Sequence, residues 1–401
     1  MQALVLTLVL GGLAMLGPFA TDTYLPSFPS IAAHYGVGDV AVQQTLSIYL
    51  FGYAVMNLFY GPLSDALGRR PVILASLLLF TLASVGASLA PSLNWLLVFR
   101  LLQGISAGAG MVVGQAIVRD LLHGAPAQRM MSHIMMVFGV APAIAPIIGG
   151  HLNVYLGWQA NFALLCVIGL LLIGLTLLWL PESLPRSERH TLHPTRLLHS
   201  YRHALTFRPY MLGVLSAGFA FSGFALYISS AAHFVMDVLH LPETAFGWLF
   251  VPMIGGMVVG SGLGGRLAHR LPPHTLLALG MGLMALAALV NLGYCALYPA
   301  TVPWAVLPIF VYTFGVALVM PVLSVTAQGL LPTMRGLAAS VQNFVQMLIF
   351  ALISGFVAPV LFGSALHLAA GLVVGVVLSV GFGWAFFASQ TTAPQPWPAP
   401  D

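Results

Sequence analysis

Gly61-Pro62-Leu63-Ser64-Asp65-Ala66-Leu67-Gly68-Arg69-Arg70-Pro71 is a short polar turn between two apolar runs, 43–64 and 71–90. Each run has about the 20 residues a helix needs to cross about 30 Å of hydrocarbon. Similar runs occupy 4–33, 94–119, 130–152, 159–180, 209–235, 243–265, 274–298, 303–330, 333–361 and 363–388. Backbone groups cannot stay unpaired in lipid, so these long continuous runs read as helices. A membrane β-barrel would instead show alternating segments of about ten residues. The expected fold is therefore an all-α polytopic membrane protein with twelve transmembrane helices.

Composition agrees. The 401 residues are 59% hydrophobic and 5% charged, against roughly 25% charged in soluble domains. The net charge is only +4, every basic residue is an arginine, and the arginines are dispersed. That pattern argues against a nucleic-acid surface. Met1 to Thr21 has no charged residue. It lacks the basic n-region of a secretory signal and reads as the first membrane helix. Cys166 and Cys295 fall in apolar runs and read as small hydrophobes, not as metal ligands.

Arginine placement orients the chain. Arg69, Arg70, Arg119, Arg129, Arg186, Arg189, Arg196, Arg202, Arg208, Arg266, Arg270 and Arg335 all fall in or beside the even-to-odd turns, twelve of the thirteen basic residues. The opposite turns hold Asp39, Asp237 and Glu243. Cytoplasmic termini and a cytoplasmic arginine side are expected. The long polar stretch 181–208 separates six helices from six. Gly61–Leu67 aligns weakly with Gly265–Leu271, at an offset of about 204 residues, as duplication would produce. The expected organisation is a six-helix bundle over 1–180, a cytoplasmic linker over 181–208, a second bundle over 209–389 and a disordered tail over 390–401.

The turn over 61–71 carries Gly61, Asp65, Gly68, Arg69 and Arg70 at restrictive spacing. Glycines permit a tight turn, and Asp65 lies beside the arginines and a helix N-terminus. Such a loop can lock one state of a gate and release in another. It resembles the signature of the major facilitator superfamily. Three more stretches narrow the resemblance. Asp22-Thr23-Tyr24-Leu25-Pro26-Ser27-Phe28-Pro29 is similar to the first-helix motif of the drug:proton antiporter branch. Arg100-Leu101-Leu102-Gln103-Gly104 is similar to its fourth-helix motif. Ala141 to Gly150, with Pro142, Pro146, Gly149 and Gly150, is similar to its fifth-helix antiporter motif. Together they resemble the Bcr/CflA subfamily of bacterial drug exporters. The resemblance implies two pseudo-symmetric six-helix bundles, a bacterial inner-membrane location, a small-molecule substrate and drive by a proton gradient without a cofactor. The chain is expected to act as a monomer. No phosphate-binding loop or nucleophile elbow is present, and the chain is not expected to be an enzyme.

Asp22 is a carboxylate in an apolar run. Charge there is costly unless paired, which suits a group that takes up and releases a proton. The alternative is a solvated cap, since Asp22 sits about 27 Å along its helix. Arg100 is the one arginine inside a helix. It either modulates protonation of Asp22 or ties helices together. Pro142, Pro146, Gly149 and Gly150 suggest a bent, close-packed seam between the bundles. Tyr24, Tyr49, Tyr53, Asn57, Gln115, Phe138, Tyr227, Asn343 and Gln346 are candidate cavity residues. His133 and His233 read as solvated residues near helix ends.

Overall fold

The computed structural model describes residues 2–189 and 194–390; the tail beyond 390 lies outside the described residues. Among the described residues, twelve helices are long and apolar enough to cross a membrane. They are α1 (Val5–Tyr35), α2 (Asp39–Leu67), α3 (Arg69–Ser88), α4 (Leu93–Leu121), α5 (Pro126–Leu156), α6 (Gln159–Trp179), α7 (Arg208–Ser229), α8 (Glu243–Leu267), α9 (Pro273–Leu297), α10 (Leu307–Gly329), α11 (Pro332–Leu361) and α12 (Ala365–Ser389). Each of the twelve apolar runs becomes one of them. Local chemistry sets the ends. Asp39 sits in the first turn of α2, where a carboxylate complements the helix dipole. Gly68 ends α2 at φ 103°, a conformation that favours glycine. Within the polar stretch after α6, Pro194–Thr206 forms a helix of its own. Among its described side chains, Tyr201 and Ala204 are buried.

The neighbour pattern repeats. In the first six helices the packed pairs include α1 with α4, α5 and α6, α2 with α4, and α3 with α4 and α6. In the last six they include α7 with α10, α11 and α12, α8 with α10, and α9 with α10 and α12. Adding six to each number converts one set into the other, so the chain is two six-helix pseudo-symmetric bundles. Without a hydrophobic force between helices in lipid, close approach comes from small residues. A Cβ on Gly104 would lie 2.0 Å from the Tyr49 carbonyl oxygen, at the crossing of α4 and α2. A Cβ on Gly256 would lie 2.2 Å from the Phe310 carbonyl oxygen, at the crossing of α8 and α10.

Besides a contact of the Leu25–Ser27 turn with Ala231–His233, the bundles meet mainly along two seams, α2 with α11 and α5 with α8. Adding or subtracting six exchanges these pairs as well. Their polar contacts gather at the end that bears Asp39, Asp237 and Glu243, hereafter the acidic end. Gln43 donates to Ser354 at 2.9 Å, Gln44 to the Gly355 carbonyl at 3.0 Å, and Ser47 to the Ala351 carbonyl at 2.8 Å. At the arginine end, Tyr201 of the linker helix donates to the carbonyl of Leu58 in α2.

Candidate functional site

The site grows from a break in α1. The helix runs regularly to Asp22, turns at Thr23–Tyr24, makes a 3-10 turn over Leu25–Ser27 and resumes over Phe28–Tyr35. Pro26 and Pro29 withhold backbone donors. The Thr21 hydroxyl donates to the Pro18 carbonyl at 2.8 Å and the Thr23 hydroxyl to that of Phe19, taking up acceptors near the break. Asp22 ends the first segment. It is 2% exposed, and its Oδ1 is buried without a hydrogen-bond partner. It is therefore not a solvated cap.

Arg100, on α4, is fully buried. Its guanidinium lies 4.2 Å from the Tyr24 ring centroid and 4.3 Å from that of Tyr49. Nη1 donates to the Ala20 carbonyl at 2.9 Å and to Gln103 Oε1 at 2.8 Å, and Nε to the Thr45 carbonyl at 3.4 Å. Gln103 in turn donates to Ser84 at 2.8 Å. Arginine suits this place because a planar, weakly hydrated cation stacks on rings while its edge donates. The group ties α1 and α2 to α4, and through Gln103 to α3. No ion pair between Arg100 and Asp22 occurs among the described residues. Ala20, which accepts from Arg100, precedes Asp22 by two residues, so the tie reaches the break itself. Tyr24 and Tyr49, read from sequence as cavity residues, enclose this cation. Tyr49 also donates to the Gly17 carbonyl at 3.1 Å.

The loop between α2 and α3 is built around Arg69, which is buried. It pairs with Asp65, donates to Ser64 at 2.7 Å and to Asp120 at 3.0 Å. Its backbone N–H donates to Glu182 at 2.9 Å. Ser183 donates to Asp120 at 2.8 Å, and Arg189 lies 3.5 Å from Glu182. Arg70 donates to the Leu177 carbonyl at 2.7 Å. A Cβ on Gly68 would meet Arg189 and Glu182 at 2.6 Å, while one on Gly61 would meet nothing within 4 Å. Asp120 and Glu182 join this network without any signal in the sequence that marks them. Asp120 follows Arg119 and Glu182 lies in the polar stretch 181–208, but no spacing rule joins either to the loop.

On α5, Pro142 and Pro146 lie inside one continuous helix. A Cβ on Gly149 would fall 1.6 Å from the Thr23 carbonyl oxygen, at the α1 break. A Cβ on Gly150 would fall 2.2 Å from the Glu243 carbonyl oxygen, across the seam with α8. Asn153 then donates to Ser30 at 3.0 Å and to Glu243 at 2.5 Å. Asn161 donates to Ser27 at 2.9 Å.

The other candidates are dispersed. Tyr53 packs near Gly17 and Tyr49. Asn57 is buried with an unpartnered Oδ1 beside Gly108. Tyr227 accepts from Asn291 at 2.6 Å inside the second bundle. Gln115, Phe138 and Gln346 are half-buried and Asn343 is exposed. His133 is exposed. His233 departs from the solvated reading, since its side chain is only 12% exposed.

Known proteins supply context. The sequence profile of the Major Facilitator Superfamily matches residues 10–354. The chain is 33% identical over 323 residues to an uncharacterized MFS-type transporter, YdgK, of Bacillus subtilis, covering 80% of each. It is 30% identical over 294 residues to a bicyclomycin resistance protein homolog of Haemophilus influenzae, covering 72% of this chain and 74% of that one. It is 34% identical over 273 residues to multidrug resistance protein D of Escherichia coli, covering 67% and 66%. A bacterial homolog of the human lysosomal transporter Spinster superposes with a TM-score of 0.70, over 99% of this chain and 98% of that one at 19% identity. That likeness is one of fold.

Proposed function

This chain belongs to the major facilitator superfamily, and from that premise we propose that it is a proton-coupled exporter of small lipophilic drugs, working by alternating access. The observation that carries the coupling is Asp22, an acid at a helix break, buried with an unpartnered oxygen. A buried ionised carboxylate without a partner is costly. The neutral acid is tolerated in a dry site, and the ionised one is favoured once water or a cationic substrate reaches it. Protonation from the outside favours substrate release and return to the inward-facing state. Deprotonation toward the cytoplasm frees the acid for loading. Arg100, close by through the Ala20 carbonyl, fixes the break and adds a positive field. The bodies that rock are residues 1–180 and 209–389, joined by 181–208. The gating loop Gly61, Asp65, Gly68, Arg69 and Arg70 controls the arginine end. Pro142, Pro146, Gly149 and Gly150 seal the acidic end.

By the positive-inside rule the arginine end faces the cytoplasm. Closure at the acidic end then corresponds to an inward-facing state. The setting is a bacterial inner membrane, the working unit a monomer, and the partners are protons and a small molecule, with no cofactor. Names of relatives that include bicyclomycin and multidrug resistance support drugs as the substrate class. The test is efflux from proteoliposomes under an imposed pH gradient. Asp22→Asn is expected to lower gradient-driven efflux at least roughly tenfold. Unchanged efflux would remove Asp22 from coupling. A second reading is a metabolite exporter, for a nucleoside, sugar or amino acid. Resistance of an overexpressing strain to several unrelated drugs decides for the first; tolerance only of metabolite analogues decides for the second.

A further inference from the structure

Beyond α7 the chain continues through Ala231–His233 and the π-helical turn Phe234–Val238. Such turns are rare and occur often at functional sites. His233 is held here on three sides. Its Nδ1 lies 2.7 Å from Asp237 Oδ2. Its Nε2 lies 4.0 Å from Asp39 Oδ2. Its ring stacks on Phe362 with centroids 3.8 Å apart and planes within 8°. Asp237 belongs to the same stretch and Phe362 follows α11. Asp39 opens α2, so that contact crosses from one bundle to the other. Ala231–His233 also packs on Leu25–Ser27, the 3-10 turn just beyond Asp22.

The facing charged groups are therefore Asp39 and Asp237. The Leu25–Ser27 turn and Phe362 bring no charge. Glu243, in the short turn packed on Phe234–Val238, accepts from Asn153 instead. A neutral imidazole has one N–H and can donate to one carboxylate; an imidazolium has two and carries a charge that both can share. Only the protonated ring can hold Asp237 and Asp39 together.

We propose that His233 is a second proton-responsive residue of the transport cycle, a latch that holds the acidic end shut when its ring is protonated. This rests on the reading of the chain as an alternating-access transporter. Protonation strengthens the tie only while Asp39 is within reach, that is, while the acidic end is closed. Linkage then makes acid on that side favour the closed end. The Asp39 side chain is 53% exposed, and an ion pair so exposed changes a two-state ratio by only about two- to fivefold. A tie of that size biases the closed state and still releases in each cycle.

The test reads conformation, not transport. Full-length protein with Cys166 and Cys295 replaced carries spin labels at Tyr155 and Leu297, both exposed at the acidic end and outside the cluster. Their separation is measured in nanodiscs between about pH 8 and about pH 5.5, the range in which histidine titrates. The closed-to-open ratio is expected to rise about two- to fivefold on acidification in the wild type, to stay flat in His233→Gln, and to lose most of its response in Asp39→Asn. Asp39→Asn leaves the bond between His233 and Asp237 in place, so it isolates the contact between bundles. A wild-type response in His233→Gln overturns the latch, as does a full response in Asp39→Asn. A response that vanishes in Asp22→Asn but persists in His233→Gln assigns the titration to Asp22 and also overturns it. Absence of drug efflux in proteoliposomes would overturn the proposed function and leave this measurement untouched.

Discussion

Arg100 holds a charge in a membrane-embedded bundle with aromatic faces and carbonyls in place of a counter-ion. Two tyrosine rings, two backbone oxygens and Gln103 share its charge, and Asp22 is left without an ion pair. Lysine cannot reproduce this, because an ammonium has neither the plane nor the fork of donors. Arg100→Lys is expected to lower the melting temperature of the detergent-purified protein by about 5 °C or more, read by intrinsic fluorescence. A smaller shift would mean that the stacking and the fork contribute little. Both Asp22 and Arg100 are legible in the sequence, because charge inside an apolar run stands out. The partners of Arg100 are not. Ala20 and Thr45 contribute carbonyl oxygens, which every residue possesses, and only the fold selects them. Asp120 and Glu182 escape for a related reason. They meet Arg69 from chain positions 51 and 113 residues away, with no local pattern to announce it.

Helix α5 illustrates the same division among elements. Its two prolines and Gly149-Gly150 read from sequence as a bent, close-packed seam. The structure places the glycines at backbone-to-backbone contacts, Gly149 within the first bundle and Gly150 across to α8, while the helix stays continuous. A methyl group at 150 meets a carbonyl oxygen, not the yielding tip of a side chain. Gly150→Ala is therefore expected to shift the population toward an open acidic end by roughly tenfold, a difference of about 1.4 kcal/mol, measured by the spacing of labels at Tyr155 and Leu297. Gly139→Ala on the same helix, where nothing lies within 4 Å, is expected to leave that spacing unchanged. Equal effects in both variants would refute the seam contact. The twelve membrane helices are legible because lipid forces long apolar runs. The helix Pro194–Thr206 is not, because it lies in a polar stretch where no such force marks it. The break after Asp22 is half legible: the prolines signal a disturbance but do not fix its position.

Across the molecule, the weak alignment at an offset of about 204 residues points to duplication, but it does not show which helices touch. That knowledge comes from the neighbour pattern, in which α1 with α4, α5 and α6, α2 with α4, and α3 with α4 and α6 all have counterparts in the second bundle. The seams obey the same exchange, α2 with α11 and α5 with α8. Such an arrangement is what a two-fold axis creates when a surface meets its own copy. Each half thus presents a face already shaped for the other, and the covalent connection between them has little left to specify. Severing the chain after Arg189 and producing the fragments 1–189 and 190–401 from separate messages is expected to yield a co-purifying pair that retains measurable efflux. Failure of the fragments to associate would mean that recognition resides in the tether, with Tyr201 and its hold on Leu58 as the first place to look. Association would make the present protein, in physical terms, a tandem dimer whose subunits have diverged in sequence while keeping a common plan of assembly.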